Sequence, residues 1–275
     1  HEYYVTPDDL VRSIPEVAAS YDQPFGNSSV VPAFYCAKAA REAGIARILA
    51  GDGGDELFGG NTRYAKQRVF GAYEQIPGIL RRGLLEPLLT GTILPGKIPG
   101  LKKVVSYVEQ ASVPMPDRMQ MYNLLGRLGL SEVLTPEFLA QVNPQDTLRQ
   151  QREAYEAGDA SAQVNRMLWY DWKYTLADND LPKVLGSTKL AGLEVGFPLL
   201  DDRLVDFSLR LDPELKLKGL TLRWFFKEAL KDFLPPEIIT KKKHGFGLPF
   251  GVWAVEHPAL RAMAMDSLDS LRSRG

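Results

Sequence analysis

Hydrophobic periodicity divides the chain into a short mixed segment and a long helical one. The apolar triplet "YYV" predicts a short strand near the start. Thr6 then offers an N-cap with Pro7 at the first helical position, predicting a helix through "DDLVRSIPEVAAS" interrupted at Pro15. A second helix is predicted for "SSVVPAFYCAKAAREAG", with Gly44 as its C-terminal stop. "ARILA" follows as a short apolar run bounded by a glycine turn, which predicts a buried strand. From Ala65 onward helical-period segments follow one another: "AKQRVFGAYEQ", "DRMQMYNLLGRL", "SAQVNRMLWYDWKYTLA" and "TLRWFFKEALKDF". The aromatics of the last two segments are expected to pack in the core. Thr90 to Gly100 is a proline and glycine connection. The expected fold class is therefore helix-rich α/β, with residues 1–66 forming a partial parallel layer and 67–275 a mostly helical region.

Directly after the predicted strand stands "LAGDGGDELFGGNTRY", Leu49 to Tyr64, with five glycines and three acids in sixteen residues. In open α/β sheets the carboxyl ends of parallel strands line the ligand crevice. Two readings of Asp52, Asp55 and Glu56 are open. They can cap a helix N-terminus while the glycines permit positive φ. Alternatively they can bind Mg²⁺, which favours oxygen ligands and commonly bridges a carboxylate to substrate phosphates. A direct phosphate cradle fits poorly, because the loop lacks the P-loop lysine and three carboxylates repel a bare triphosphate. The spacing also fails for an EF-hand.

Composition narrows the classes. Across 275 residues, 33 basic side chains face 34 acidic ones, so nucleic acid is not an expected partner. No apolar stretch approaches the roughly 18 residues that span a bilayer, and no membrane partner is expected. The single cysteine, Cys36, excludes an intrachain disulfide; it lies in an apolar helix, where burial as a structural residue is expected, and a cytoplasmic setting follows. The histidines are His1, His244 and His257; no zinc spacing, G-x-S-x-G elbow or dinucleotide fingerprint accompanies them.

The glycine-acid stretch closely resembles the signature S-G-[DE]-G-[GS]-D-E-x-F-G-G-Y of the synthetase domain of glutamine-dependent asparagine synthetases. Three further segments agree in order: "YDQPFGNSSVVPAF" with D-x-P-x-x-x-x-S, "LEVGFPLLD" with E-x-R-x-P-F-L-D, and "LPPEIITKKKHGFGLPFGVW" with L-P-x-x-I-x-x-[KR]-x-K-x-G-F-x-x-P-x-x-x-W. The resemblance implies an ATP pyrophosphatase fold and a specific reaction. Aspartate's β-carboxylate attacks the α-phosphorus of ATP, giving β-aspartyl-AMP and pyrophosphate, and ammonia then displaces AMP. Carried over by position, Asp55 is the implied Mg²⁺ ligand and Asp52 the acid that orients or deprotonates ammonia. Gly51, Gly53, Gly54 and Glu56 fall on the ATP side of the signature. Lys243 is the implied phosphate contact, although a basic run such as Lys241 to Lys243 can also simply face solvent. His244 beside it can assist phosphate binding or hydrogen-bond its own loop.

The departures matter equally. The family's S-G-G-x-D-S pyrophosphate loop and the N-terminal cysteine of its glutaminase domain are absent from the chain, which is expected to be an inactive fragment lacking both. Between Gly186 and Asp201, Glu194, Pro198, Leu200 and Asp201 survive, but the pattern's Asp-Arg pair does not, and its later arginine is Gly196. The signature serine is Ala50 and its closing tyrosine Asn61. An arginine's bidentate geometry has no substitute in glycine. The acceptor can therefore be aspartate or another carboxylate, with ammonia supplied by the missing glutaminase; a non-catalytic binding relative and a homodimer both stay open.

Overall fold

The computed structural model describes all residues except 82, 84–86, 88–100, 122, 159, 242–244, 246 and 275. The connection from Thr90 to Gly100 lies outside the described residues. The fold is helix-rich α/β, and the chain forms two compact units, one of residues 1–53, 173–206 and 233–275, the other of 54–172 and 207–232.

In the first unit the helix Pro7–Ala19 starts from a complete capping box. The Thr6 hydroxyl accepts from the Asp9 amide at 3.3 Å, and the Asp9 carboxylate accepts from the Thr6 amide at 2.8 Å. Burial opposes the charge on Asp9, but the donors of Thr6 and Tyr3 and the Arg12 guanidinium hold its carboxyl below the ordinary range. Two expectations fail here. Residues 1–6 are not a strand, because no neighbouring strand pairs with "YYV" among the described residues. The helix also runs through Pro15 without interruption. Proline's fixed φ is helical, and Ser13 and Val17 on either side are buried, so packing of this face offsets one missing amide donor.

The helix Val30–Glu42 packs against Pro7–Ala19 and the helix Leu181–Leu190. Leu10, Val17, Val30, Val31, Phe34 and Tyr35 form one core cluster with Leu260 of the helix Pro258–Ser273. Cys36 lies on the other face of that helix and is exposed, contrary to the buried role expected from its apolar neighbours. The strand β1, Arg47–Leu49, pairs in parallel with β2, Glu194–Gly196, in the register Arg47 to Glu194, Ile48 to Val195 and Leu49 to Gly196. β1 is not the buried strand its composition predicts. Leu49 is 73% exposed, because the described sheet has only these two strands and leaves much of its surface uncovered.

Tyr21 shows how this unit uses a glycine. Its hydroxyl donates to the Pro182 carbonyl at 3.2 Å, and a Cβ at Gly186 would overlap the phenol ring. The ring thus occupies the space that any side chain at position 186 would need.

In the second unit Phe70, Tyr73, Val108 and Ala111 pack the helix Thr62–Glu74 onto Leu101–Ser112. Arg118, almost fully buried, donates to Gln67, Glu74 and the carbonyls of Ala111 and Val113. The helix Gln163–Asp171 supplies buried Met167, Leu168 and Tyr170, as its periodicity predicts, but Trp169 is 45% exposed. None of Trp224–Leu230 is fully buried, so that helix covers the core less completely than its aromatics suggest. The residues Trp172–Asp180 form a π-helical stretch. No described helix is long and apolar enough to cross a membrane.

Candidate active site

The signature stretch leaves β1 through a glycine turn. The Ala50 amide donates to the Gly196 carbonyl at 2.9 Å and extends the parallel ladder by one residue. Gly53 then takes φ +90, where a Cβ would run into the Leu200 side chain. Asp52 stands just before it and is half-buried. Gly51, Asp52 and Gly53 end this segment of the first unit; Gly54 begins the second.

In the second unit, Gly54–Phe58 is a short helix carrying Asp55 and Glu56 in its first turn, where their charge complements the helix dipole. Leu57, Phe58 and Glu56 are buried. Phe58 packs on Phe226 with ring centroids 5.1 Å apart, and the Ser208 hydroxyl donates to the Leu57 carbonyl at 2.8 Å. Gly59, at φ +70, reverses the chain; its Cα lies so close to the Lys216 backbone that a Cβ would sit 3.1 Å from that carbonyl. The Gly60 amide donates to the Asp55 carbonyl at 2.9 Å. The Asp55 carboxylate folds back over Gly60, in the space a Cβ would take. Asn61, where the signature has tyrosine, caps the next helix by accepting from the Arg63 amide at 3.1 Å.

Arg223 faces this carboxylate. Its NH1 lies 3.8 Å from Asp55 Oδ1, and its amide donates to the Gly59 carbonyl at 3.2 Å. The residue is held at φ 53, a left-handed conformation unusual for a side chain of this size, and its Nε is buried without a hydrogen-bond partner. Nothing in the sequence singles out Arg223, because it reaches Asp55 only through the fold of the second unit. Lys216 carries no local mark either. It is 3% exposed, and burial lowers its ammonium pKa to about 8.

That depression has a testable sign. The unfolded chain holds the Lys216 proton up to about pH 10.5 and the folded chain only to about 8, so stability from this group rises as pH climbs between them. Wild type is expected to gain on Lys216→Met across that window in denaturant midpoints at each pH. Parallel curves would contradict a depressed ammonium.

Lys243 and His244 lie outside the described residues. His257 is structural: its Nε2 pairs with Asp8 at 3.2 Å and its Nδ1 accepts from the Leu260 amide at the start of the helix Pro258–Ser273. Among the described residues no three His, Cys, Asp or Glu side chains cluster into a ready-made metal site. Asp55, with a side chain 23% exposed, instead fits the manner in which Mg²⁺ is held by one or two carboxylates and a substrate phosphate together.

The family model for asparagine synthase matches residues 1–275, the whole chain. The chain belongs to the asparagine synthase family. Among curated relatives of this family, asparagine synthetase [glutamine-hydrolyzing] 1 of Bacillus subtilis is 26% identical over 251 residues, covering 90% of this chain and 38% of that protein. A putative asparagine synthetase [glutamine-hydrolyzing] of Mycobacterium tuberculosis is 26% identical over 267 residues, covering 90% of this chain and 36% of that protein. Putative asparagine synthetase [glutamine-hydrolyzing] 2 of Methanocaldococcus jannaschii is 33% identical over 81 residues, 30% of this chain. The chain thus spans little more than a third of the Bacillus and Mycobacterium proteins' length. No solved structure gives a significant match.

Proposed function

We propose that this chain is the synthetase part of an ATP-dependent amide-forming enzyme. The observation that carries the reading is the Asp55 carboxylate folded over Gly60 and faced by Arg223 at 3.8 Å. The obstacle in this chemistry is charge, since a carboxylate must approach a polyanion. A bound Mg²⁺ supplies charge neutralisation on the pyrophosphate, and Asp55 is the residue that holds it. Arg223, with a partly exposed side chain, offers a forked donor set suited to phosphate oxygens. The family resemblance assigns phosphate contacts to Lys243 and His244 and nucleotide-side backbone to Gly51, Gly53 and Gly54.

In the first step an acceptor carboxylate oxygen bonds to the α-phosphorus, the bond from that phosphorus to the bridging oxygen breaks, and pyrophosphate leaves. In the second, ammonia attacks the acyl carbon, the acyl-oxygen bond breaks, AMP leaves and the nitrogen gives up a proton. Asp52 orients ammonia and accepts that proton. That relatives are glutamine-hydrolyzing synthetases supports glutamine as the nitrogen source, and the use of ATP suits a cytoplasmic setting.

Aspartate is the first acceptor to test, but one observation favours a different carboxylate. At Gly196, where the E-x-R-x-P-F-L-D pattern has an arginine, a Cβ would already lie 3.2 Å from Leu49, so an apolar side chain borders that position. The full gene product with ATP, Mg²⁺, ammonia and a panel of carboxylic acids is expected to form AMP and pyrophosphate in step with one amide. ADP and phosphate as products, or no acceptor-dependent turnover, would refute the reading.

A further inference from the structure

We propose that Asp171 is a positioning residue that holds the signature loop, and through it the Asp55 carboxylate, in register. The inference rests on the reading of Asp55 given above. Asp171 ends the helix Gln163–Asp171 and is completely buried. Its Oδ2 accepts from Arg63 Nε at 2.9 Å and from the Tyr64 hydroxyl, and its Oδ1 faces the Arg63 NH2. Tyr64 is likewise fully buried, and burial, then the Asp171 charge, pushes its phenol well above the ordinary tyrosine range. Burial also works against the charge on Arg63, yet Asp171 beside it raises the pKa, with a further contribution from Glu56.

The connection to Asp55 is short. Arg63 and Tyr64 lie in the first turn of the helix Thr62–Glu74, Asn61 caps that helix, and the preceding Gly60 amide holds the Asp55 carbonyl. Glu56, next to Asp55, is 7% exposed, and the helix Gln163–Asp171 packs directly against Gly54–Phe58, the helix that carries both acids. A buried ion pair contributes little net stability, because desolvation offsets the attraction, but leaving one member unpaired is costly. Such a pair discriminates strongly among registers while adding little to the folding free energy. That is the behaviour of a positioning device.

The test uses the full gene product with Asp171→Asn and the double variant Arg63→Met/Asp171→Asn. Asp171→Asn is expected to speed amide exchange across residues 54–61 at least about tenfold while leaving the helix Pro7–Ala19 unchanged. The Mg²⁺ concentration for half-maximal AMP formation should rise. The double variant removes the stranded guanidinium and should regain thermal stability, yet exchange in 54–61 should stay fast because the tether is gone. Recovery of stability and slow exchange together would reduce Asp171 to a structural role and overturn the proposal, as would unchanged exchange in Asp171→Asn. If that variant does not fold, Tyr64→Phe removes one bond to Asp171 without stranding a charge. A local acceleration of about threefold is then expected, and none would overturn the proposal. Wild type that forms no AMP would sink the proposed function, while the exchange measurements would still decide the tether.

Discussion

Asp55→Asn should abolish most turnover and barely change stability. The substitution keeps the shape of the side chain, so packing over Gly60 is preserved, and it removes the negative charge that holds a metal against phosphate. The lost ion pair with Arg223, at 3.8 Å and partly exposed, is worth under about 1 kcal/mol. Loss of one preorganised charge-stabilising group typically costs about 10²- to 10³-fold in rate, or about 3 to 4 kcal/mol of transition-state stabilisation. The catalytic effect therefore exceeds the structural one by several-fold. AMP formation at saturating Mg²⁺, read beside a thermal melt, checks both halves. Turnover within threefold of wild type would mean that Asp55 holds no metal.

Gly60→Ala should damage both activity and stability, for a different reason. The added methyl would enter the space of the Asp55 carboxylate and lie 3.0 Å from Arg223 Cδ. The carboxylate must rotate away, or the turn must open and strain the bond from the Gly60 amide to the Asp55 carbonyl. Overpacking of this kind costs about 1 to 3 kcal/mol. Displacement of Asp55 should also lower turnover by at least about tenfold, because misplacing a catalytic group by an ångström is enough to lose about a hundredfold. Gly71, in the middle of Thr62–Glu74, is the control: nothing lies within 4 Å of its would-be Cβ. Gly71→Ala should stabilise by about 0.5 to 1 kcal/mol with activity unchanged. If both alanines behaved alike, crowding at Asp55 would not be the cause.

How much of this was legible beforehand depends on the range over which each signal acts. The capping box at Thr6 and Asp9 and the glycine turn after β1 are local, and backbone donors and φ preferences dictate them within a few residues. The signature carboxylates stand out for the same reason, being clustered in sequence. Pro15 misled because its helix is stabilised by tertiary burial, which overrides a local breaker. Cys36 misled because an apolar helix with small residues does not declare which face it buries. Its neighbours Tyr35 and Ala37 turn inward while it turns out. Pairing of β1 with Glu194–Gly196, nearly 150 residues away, carries no local mark. Arg223 and Asp171 were invisible on the same grounds, since each meets the signature loop only after long-range packing.

The central claim is that an acceptor carboxylate is activated as an acyl-adenylate. Its most direct measurement uses an acceptor labelled with ¹⁸O in the reacting carboxylate, incubated with ATP, Mg²⁺ and ammonia in the presence of the full gene product. The account predicts one ¹⁸O in the phosphate of the AMP released, because the acyl-oxygen bond breaks when nitrogen attacks. Unlabelled AMP, or label appearing in inorganic phosphate, would contradict it.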